Sequence, residues 1–481
     1  MPGPQSVTRV LVGVHDGGLN GIDTYAEQVA LAAAAAGHAV TLLATTPEVA
    51  RDLRARHPES AITVVDLSLR PPTSREALAY RVWPGLARRR VERGLVATLG
   101  QRGLGQRGPG QLGETYPVAH LNHPGLAPAV RPFATRVCVA AWFYPHALVG
   151  RVAATWHHTG GPLPRRVMLA AKSISHYRND AAGYRSADVV LAPTEMLAAQ
   201  LRGQGIAAVV CPPPVQVTQD AGAAADSGGA TVDHGAAGDA TASTDGAVVP
   251  VRLVVCCGDL SHPRKHVGAA LRAVCLMPRG ERPIVLELIG RHGDALAAEI
   301  AGMPEWVAVE RPGALPAGVV HAHMRAADAL LLPSLFEEWG YVAVEALLSG
   351  TPVVTFPVYP FADMIAPGFG ARADDMTPAA YAAAIQRVLV DGRPPDLAAR
   401  ANERFGAAAT ARRLASVWSE ASTAGARVEA RAASAPEGAR EAGGVDGAGE
   451  SESAAGETAE RAGDYGRATK GGRGGWGRMR N

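Results

Sequence analysis

The stretch Ala327–Pro357 reads ADALLLPSLFEEWGYVAVEALLSGTPVVTFP, in which two apolar runs flank one helical pattern. The first apolar run, Ala329–Leu332, has the length of a buried strand. Apolar side chains then recur at helical spacing over Tyr341–Leu348, and Gly350 supplies a C-terminal stop. A second apolar strand follows at Val353–Phe356. The stretch therefore predicts a strand, a loop, a helix and a second strand in that order.

Two carboxylates frame the predicted helix, Glu337 just before it and Glu345 inside it. If the intervening residues were all helical, these carboxylates would lie about 12 Å apart along the axis, which is comparable with the distance from ribose to sugar in a nucleotide diphosphate sugar. The backbone N–H groups at a helix N-terminus attract phosphate. The alternative is that both side chains are solvated, as glutamates on surface helices commonly are.

The residues around these carboxylates carry a family resemblance. Pro-Ser precedes the pair, Trp339-Gly340 follows Glu337, and Ser349-Gly350 closes the helix. The stretch resembles the E-x7-E segment of family-4 retaining glycosyltransferases of the GT-B fold, the glycosyltransferase group 1 enzymes. The resemblance implies an α/β chain with two Rossmann-like, doubly wound domains facing a cleft. It also implies that Glu337 holds a hydroxyl of the transferred sugar, that Glu345 holds the ribose, and that Glu338, Trp339 and Gly340 contribute to donor binding.

The N-terminus opens with a strand, a glycine-containing loop and a helix. The apolar run Val10–Val14 leads into a loop with Gly17 and Gly18, and a helix is predicted from about Thr24 to Ala36. The glycine spacing is not that of the G-x-G-x-x-G dinucleotide fingerprint, so the loop gives little support for a nicotinamide cofactor. It resembles the family's N-terminal loop, which implies that Gly17 and Gly18 face the donor diphosphate.

A second such loop follows the apolar run that begins at Val251. It contains Gly258, Asp259, Arg264 and Lys265 and resembles the family's diphosphate-binding loop. Lys265 stands where the family has its diphosphate lysine, whereas Asp259 stands where it has an arginine. Either Asp259 turns away from the site or Arg264 takes over the cationic role.

Two further positions follow from the same resemblance. Gly290 matches the family's turn beside the nucleotide. After the predicted strand Val137–Ala141, the position where the family has a histidine that reaches the sugar is Phe143. His146 or His123 would have to act from a loop instead, or the role is absent.

Composition limits the functional classes. With 481 residues and 47% hydrophobic side chains the chain can form two or three packed domains, and its net charge of +2 gives no support for nucleic-acid binding. Its cysteines lack zinc-site spacing and predict free thiols in a reducing cytoplasm. No uninterrupted apolar 18-mer occurs, which predicts a soluble cytoplasmic protein.

Composition also divides the chain. Residues 218–249 and 423–481 contain almost nothing that can be buried, so both are predicted to be disordered. The predicted units are an acceptor domain at 1–217, the insertion at 218–249, a nucleotide-sugar domain at 250–395, one crossover helix at 396–422 that packs on the first domain, and the tail at 423–481.

Residues Arg75–Leu99 form an arginine-rich helical region whose arginines concentrate in Arg81–Arg93. Its apolar residues are Val82, Trp83, Leu86, Val91 and Leu95. A solvated basic face is one interpretation of this pattern. Peripheral contact with an anionic membrane is the other.

The resemblance implies retaining, metal-independent transfer of a hexosyl-type group from a UDP- or GDP-sugar, with no cofactor. The acceptor is a small molecule, a glycan or a lipid-linked molecule. Lys265, Glu337 and His146 are the candidate catalytic residues. Three alternatives stay open: a sugar-nucleotide epimerase, a non-catalytic protein that binds a nucleotide sugar or a partner, and a membrane-associated binding module.

Overall fold

The protein contains two parallel β-sheets. The computed structural model describes residues 9–15, 21–58, 60–70, 73–76, 84–101, 115–142, 163–217, 248–291 and 294–419. Gly17, Gly18, Phe143, His146, residues 218–247 of the predicted insertion and the whole predicted tail lie outside these residues.

The first sheet has seven strands in the order β3-β2-β1-β4-β5-β6-β7, and all their pairings are parallel. Continuous apolar runs such as that of β1 suit a sheet covered on both faces. The strands are β1 Arg9–His15, β2 Ala39–Ala44, β3 Ile62–Asp66, β4 Tyr116–Leu121, β5 Ala134–Ala140, β6 Val189–Ala192 and β7 Ala208–Val210.

Helices connect these strands, and two of them have clear N-terminal caps. The Thr46 hydroxyl accepts a hydrogen bond from the Val49 N–H, and the Thr194 hydroxyl accepts one from Leu197 N–H. The helices are α1 Gly21–Ala35, α2 Pro47–Arg56, α3 Pro84–Gln101, the short α4 Ala127–Val130, α5 Leu163–Ser186 and α6 Glu195–Arg202.

The second sheet has six parallel strands in the order β10-β9-β8-β11-β12-β13. Its strands are β8 Val251–Asp259, β9 Ile284–Arg291, β10 Val307–Gly313, β11 Ala329–Leu332, β12 Val353–Thr355 and β13 Gly370–Arg372. Its helices are α7 Val267–Cys275, α8 Ala297–Ala301, α9 Ala317–Ala326, α10 Tyr341–Leu348, α11 Phe361–Met364, α12 Pro378–Asp391 and α13 Leu397–Phe405. The predicted α/β class with two doubly wound domains is confirmed.

The predicted single crossover helix at 396–422 is wrong. The chain forms α13 and then a separate helix, α14, over residues 407–419, with an extended residue, Gly406, between them. Gly406 forms an isolated parallel bridge with Val215, which lies on the other connection between the two sheets. Phe405 packs in the core of the second sheet, whereas Leu414 and Trp418 pack in that of the first. The helix breaks because the chain changes sheets at this point.

The strand orders identify where a ligand would bind. In each sheet successive strands are added first towards one edge and then towards the other. The change occurs between two neighbouring central strands, β1 and β4 in the first sheet and β8 and β11 in the second. In doubly wound sheets the crevice beyond the carboxyl ends of such strands is the usual ligand site. The loops that contain Lys265 and Glu337 follow β8 and β11, so both lie at this edge of the second sheet.

Candidate functional site

A cleft of about 490 Å³ lies between the carboxyl ends of the two sheets. The second domain contributes eight of the predicted site residues to its lining, and the first contributes Gly21, Thr24 and Trp142. The eight are Gly258, Arg264, Lys265, Glu337, Glu338, Trp339, Gly340 and Glu345. Residues from loops after β8 and β11 therefore share one cavity.

Glu337 lies at the centre of a polar cluster at the base of this cleft. The residue is 5% exposed, and its carboxylate accepts hydrogen bonds from Lys265 Nζ at 2.5 Å and from Ser334 Oγ at 2.7 Å. Arg264 Nη1 lies 3.5 Å from its second oxygen. A buried carboxylate requires such partners to offset its lost hydration. An ammonium carries three N–H donors, so Lys265 retains donors for a ligand while it holds Glu337.

The backbone ties the two loops together. The Leu335 N–H donates to the Arg264 carbonyl at 2.9 Å, which joins the loop after β11 to the loop after β8. His266, directly after Lys265, adopts a left-handed conformation with φ 50°. This backbone turn ends the short 3₁₀ helix Pro263–Lys265 and starts α7. Lys265 is thus held at a fixed turn rather than on a free loop.

Asp259 turns away from the cleft. Its carboxylate accepts hydrogen bonds from the Ser261 hydroxyl at 2.6 Å and from the Ser261 N–H at 3.0 Å. These bonds lower the pKa of Asp259, whose side chain is solvated. Arg264 instead lines the cleft beside Glu337. The first possibility raised by the sequence, that Asp259 turns away, therefore agrees with the structure, whereas a cationic role of Arg264 towards a diphosphate stays a prediction.

The N-terminus of α10 depends on a glycine. Gly340 caps this helix with φ 81°, a conformation that disfavours other residues. A Cβ at this position would also lie 2.9 Å from Cε1 of Phe361. Gly340 therefore lets the chain turn from the Glu337 loop directly into the helix that carries Glu345.

Glu345 lies in the second turn of α10 and faces the cleft. Burial raises its pKa from the ordinary value of 4.5 to about 7. The pKa of the nearby Tyr341 phenol is also raised, first by burial and then by the Glu345 charge. A carboxyl with a pKa close to neutrality, in a cleft, is typical of a functional site.

Tyr341 was not singled out by the sequence, yet it lines the cleft. A Cβ on Gly21, at the start of α1 in the first domain, would lie 3.5 Å from Cε2 of Tyr341. The Tyr341 hydroxyl is buried, and among the residues that the structure describes it has no hydrogen-bond partner. An unpaired buried hydroxyl lowers stability until a ligand or a movement satisfies it.

The Tyr341→Phe substitution is therefore expected to raise the free energy of unfolding of the ligand-free protein by about 1 kcal/mol, because it removes an unpaired buried group. Tyr381→Phe is the matched control, since the Tyr381 hydroxyl donates to the Val354 carbonyl at 2.8 Å. That change should lower stability. Urea denaturation of both variants measures the difference, and a loss of similar size in Tyr341→Phe would contradict the prediction.

Other predicted residues lie elsewhere. Gly290 does not line the cleft; it has φ 140°, and a Cβ there would lie 1.9 Å from the Cys257 carbonyl oxygen, so this glycine allows β8 and β9 to pack closely. The positions of Gly17, Gly18 and His146 fall outside the described residues. His123, the alternative to His146, is not part of the cleft lining either.

The histidine on β4 is buried rather than presented to the cleft. His120 Nε2 lies 2.6 Å from the Tyr25 hydroxyl, and the Trp418 indole N–H donates to Nδ1 at 3.3 Å. Burial lowers the pKa of His120 to about 3, so the ring is neutral. Trp142, which lines the cleft, packs edge-on against Tyr25 with 4.7 Å between ring centroids. This cluster links α14 to the first-domain wall of the cleft.

Comparison with known proteins agrees with this architecture. Residues 251–391 match the model of the family described as Glycosyl transferases group 1. A sucrose-phosphate synthase from Thermosynechococcus elongatus has a similar solved structure, with a TM-score of 0.56 and 18% identity, covering 86% of this chain and 99% of that chain. The two facing parallel sheets are the GT-B fold. The family match is confined to residues 251–391, which contain β8 to α12 of the second sheet.

Two curated relatives are both named D-inositol 3-phosphate glycosyltransferase. The one from Thermobispora bispora is 35% identical over 180 residues, which cover 33% of this chain and 41% of that protein. The one from Geodermatophilus obscurus is 32% identical over 183 residues, which cover 31% and 40%. The chain thus matches about two fifths of the length of these relatives.

Proposed function

We propose that the protein is a retaining glycosyltransferase that moves a hexosyl-type group from a nucleotide diphosphate sugar to an acceptor. The observation that carries this proposal is the convergence of Lys265, Arg264, Glu337 and Glu345 on one cleft at the switch points of two doubly wound sheets. The group 1 family match over residues 251–391 supports it. An epimerase would need further carboxylates or histidines on the first-domain side, whereas the described lining there is Gly21, Thr24 and Trp142.

The proposed chemistry rests on stabilising the diphosphate as it leaves. Lys265, with Arg264 beside it, supplies positive charge at the loop after β8. The N-terminus of α10 adds the positive end of a helix dipole. Fixed groups of this kind stabilise charge that develops in a transition state. The charge requirement is met by side chains and backbone, so the proposed reaction proceeds without a metal ion or cofactor.

The two glutamates position the donor in this proposal. Glu345 accepts hydrogen bonds from the ribose hydroxyls, and Glu337 accepts one from a hydroxyl of the transferred sugar. The departing phosphate oxygen takes the proton of the acceptor hydroxyl on the same face of the sugar, which retains the anomeric configuration. No side chain is then needed as the base, and His146 would act by contacting the sugar.

The experiment is a donor screen with the purified full chain. Binding of UDP-, GDP- and ADP-sugars is measured by calorimetry, nucleotide release is measured in parallel, and Glu345→Ala is included throughout. Binding with turnover that the substitution abolishes would establish the transferase and its donor. Binding without release, even with cell-extract acceptors, would favour a non-catalytic nucleotide-sugar protein. Lack of binding to every donor would contradict the roles of Lys265 and both glutamates.

The acceptor is part of the proposal. The curated relatives carry the name D-inositol 3-phosphate glycosyltransferase, so D-inositol 3-phosphate is the first acceptor to assay. Small-molecule, glycan and lipid-linked acceptors follow it. Anomeric configuration in the product, determined by NMR, tests retention directly.

Donor affinity is expected to rise with pH. The Glu345 pKa is raised to about 7 by burial, and the ionised carboxylate is the better acceptor for a ribose diol. If only the ionised form binds, affinity should be about tenfold weaker near pH 6 than near pH 8. A nucleotide diphosphate sugar has no phosphate group that titrates in this range.

Calorimetry across that pH interval measures the effect. Glu345→Gln is the matched variant and should bind more weakly with a flat profile. His321 also lines the cleft, and its pKa is lowered by burial and by Arg325. A pH profile that survives in Glu345→Gln would assign the titration to another group and contradict the prediction.

A further inference from the structure

We propose that α3 and α5 of the first domain form a docking face for an anionic lipid bilayer. This basic-apolar face is defined by Leu86, Arg89, Arg93 and Val96 on α3 and by Leu163, Val167, Met168, Ile174, Arg178 and Arg185 on α5. None of these residues lines the cleft, so the proposal stands independently of the proposed transferase activity.

The exposed side of α3 carries two arginines between two apolar residues. Leu86, Arg89, Arg93 and Val96 follow at intervals of three, four and three residues, which places them on one side of a helix. Leu86 is 43% exposed and Val96 49%. Leu95 and Leu99 on the opposite side are buried in the first-domain core, and Val91 packs against that core. The apolar residues that face outward are therefore not needed to hold α3 in place.

The exposed side of α5 also carries apolar side chains and arginines. Leu163, Val167 and Ile174 follow at intervals of four and seven residues, and Met168 adjoins them. Their exposed fractions are 62%, 52% and 41%, with 46% for Met168. Further along the helix Arg178 and Arg185 are exposed, while Ala181 and Tyr184 are buried. The N-terminal half of α5 thus presents apolar side chains to solvent, and the C-terminal half presents arginines.

The two helices contact each other, so their exposed sides are neighbours. Six of the twelve large hydrophobic side chains that are exposed in the described part of the chain lie on them. That concentration marks an interaction surface rather than the scatter found on most proteins. On both helices every exposed charged side chain that the structure describes is an arginine.

The positive charge of the arginines favours an anionic bilayer over a second copy of the chain as the partner of the basic-apolar face. In a two-fold dimer the same patch would face itself, which would bring the arginines of both copies together. An anionic bilayer complements the arginines instead. The arginines would contact the anionic lipid headgroups, and the apolar side chains would enter the boundary between headgroups and acyl chains. The binding is peripheral, since none of the described helices is long and apolar enough to cross a membrane.

Flotation of the full chain with vesicles tests this inference. Vesicles of phosphatidylcholine alone are compared with vesicles that also contain phosphatidylglycerol, at low and high salt. The wild type should bind the anionic vesicles and release on addition of salt, because the attraction is screened. Arg89→Glu/Arg93→Glu should reduce binding at least about tenfold. Val167→Ser/Met168→Ser should reduce it by a similar factor at low salt.

The matched control is Arg51→Glu/Arg412→Glu, two exposed arginines on α2 and α14 that give the same change of net charge. It should bind vesicles as the wild type does. Equal losses in the control would overturn the proposal, since net charge alone would then explain binding. Lack of vesicle binding by the wild type would overturn it too. Concentration-dependent dimerisation of the wild type that Val167→Ser/Met168→Ser abolishes would also overturn the proposal, because the face would then bind a second copy of the chain. Circular dichroism confirms that each variant is folded.

Discussion

Lys265→Ala is expected to lower the turnover number about 10³-fold, because in the proposed reaction it removes the main positive charge that stabilises the leaving diphosphate. Loss of one preorganised group that stabilises transition-state charge commonly costs about 3–4 kcal/mol in activation free energy. Glu337 would keep its bond from Ser334 and the more distant Arg264 as partners. Steady-state kinetics with the donor found in the screen measures the effect.

Lys265→Arg and Arg264→Ala are the control variants. Lys265→Arg keeps the charge with a different geometry and should recover part of the activity. Arg264→Ala should have the smaller effect, since its guanidinium lies 3.5 Å from the carboxylate that Lys265 contacts at 2.5 Å. Equal losses in Lys265→Ala and Arg264→Ala would show that the two cations share the role. Unchanged turnover in Lys265→Ala would contradict the assignment.

Mild acid is expected to destabilise the first domain through His120. Its folded pKa of about 3 lies below the ordinary value of 6.5, so the unfolded chain binds the proton more strongly and stability falls as pH decreases below about 6.5. Between about pH 7.5 and pH 5 the loss should be about 2 kcal/mol. The physical reason is that the imidazole is buried, which disfavours its charged form, and that Trp418 donates to Nδ1, which therefore stays unprotonated.

Urea denaturation followed by tryptophan fluorescence at these two pH values measures the loss. His120→Leu should be less stable near neutrality but should lose about 2 kcal/mol less on acidification. Tyr25→Phe is the matched control, because it removes the phenol that contacts the ring and leaves the titrating imidazole. His38, whose pKa is also lowered by burial, accounts for part of the remaining loss. An unchanged pH dependence in His120→Leu would contradict the prediction.

Local sequence patterns predicted the regular elements near the cleft well. The strand at Ala329–Leu332 and the helix start at Tyr341 agree with the structure. These elements follow from short-range causes: an apolar run, helical spacing and a glycine stop. The full length of α5, Leu163–Ser186, was not among the predicted elements.

The candidate site was predicted residue by residue but not as an arrangement. Lys265 and Glu337 were each singled out, whereas their hydrogen bond joins residues 72 positions apart and depends on the sheet order that places β8 beside β11. The orientation of Asp259 depends on its bonds to Ser261. Tyr341 and Trp142 carry no motif that would have indicated a place in the cleft.

The amino-acid pattern was sufficient to predict the class of fold and the strands and helices around the loops after β8 and β11. It was also sufficient to predict which charged residues those loops carry. Each of these depends on neighbouring residues in the chain. Three features depended on how distant segments pack: the break at Gly406, the burial of Leu95 with exposure of Leu86 and Val96, and the rise of the Glu345 pKa to about 7. Burial and proximity are properties of the packed sheets, and no local pattern encodes them.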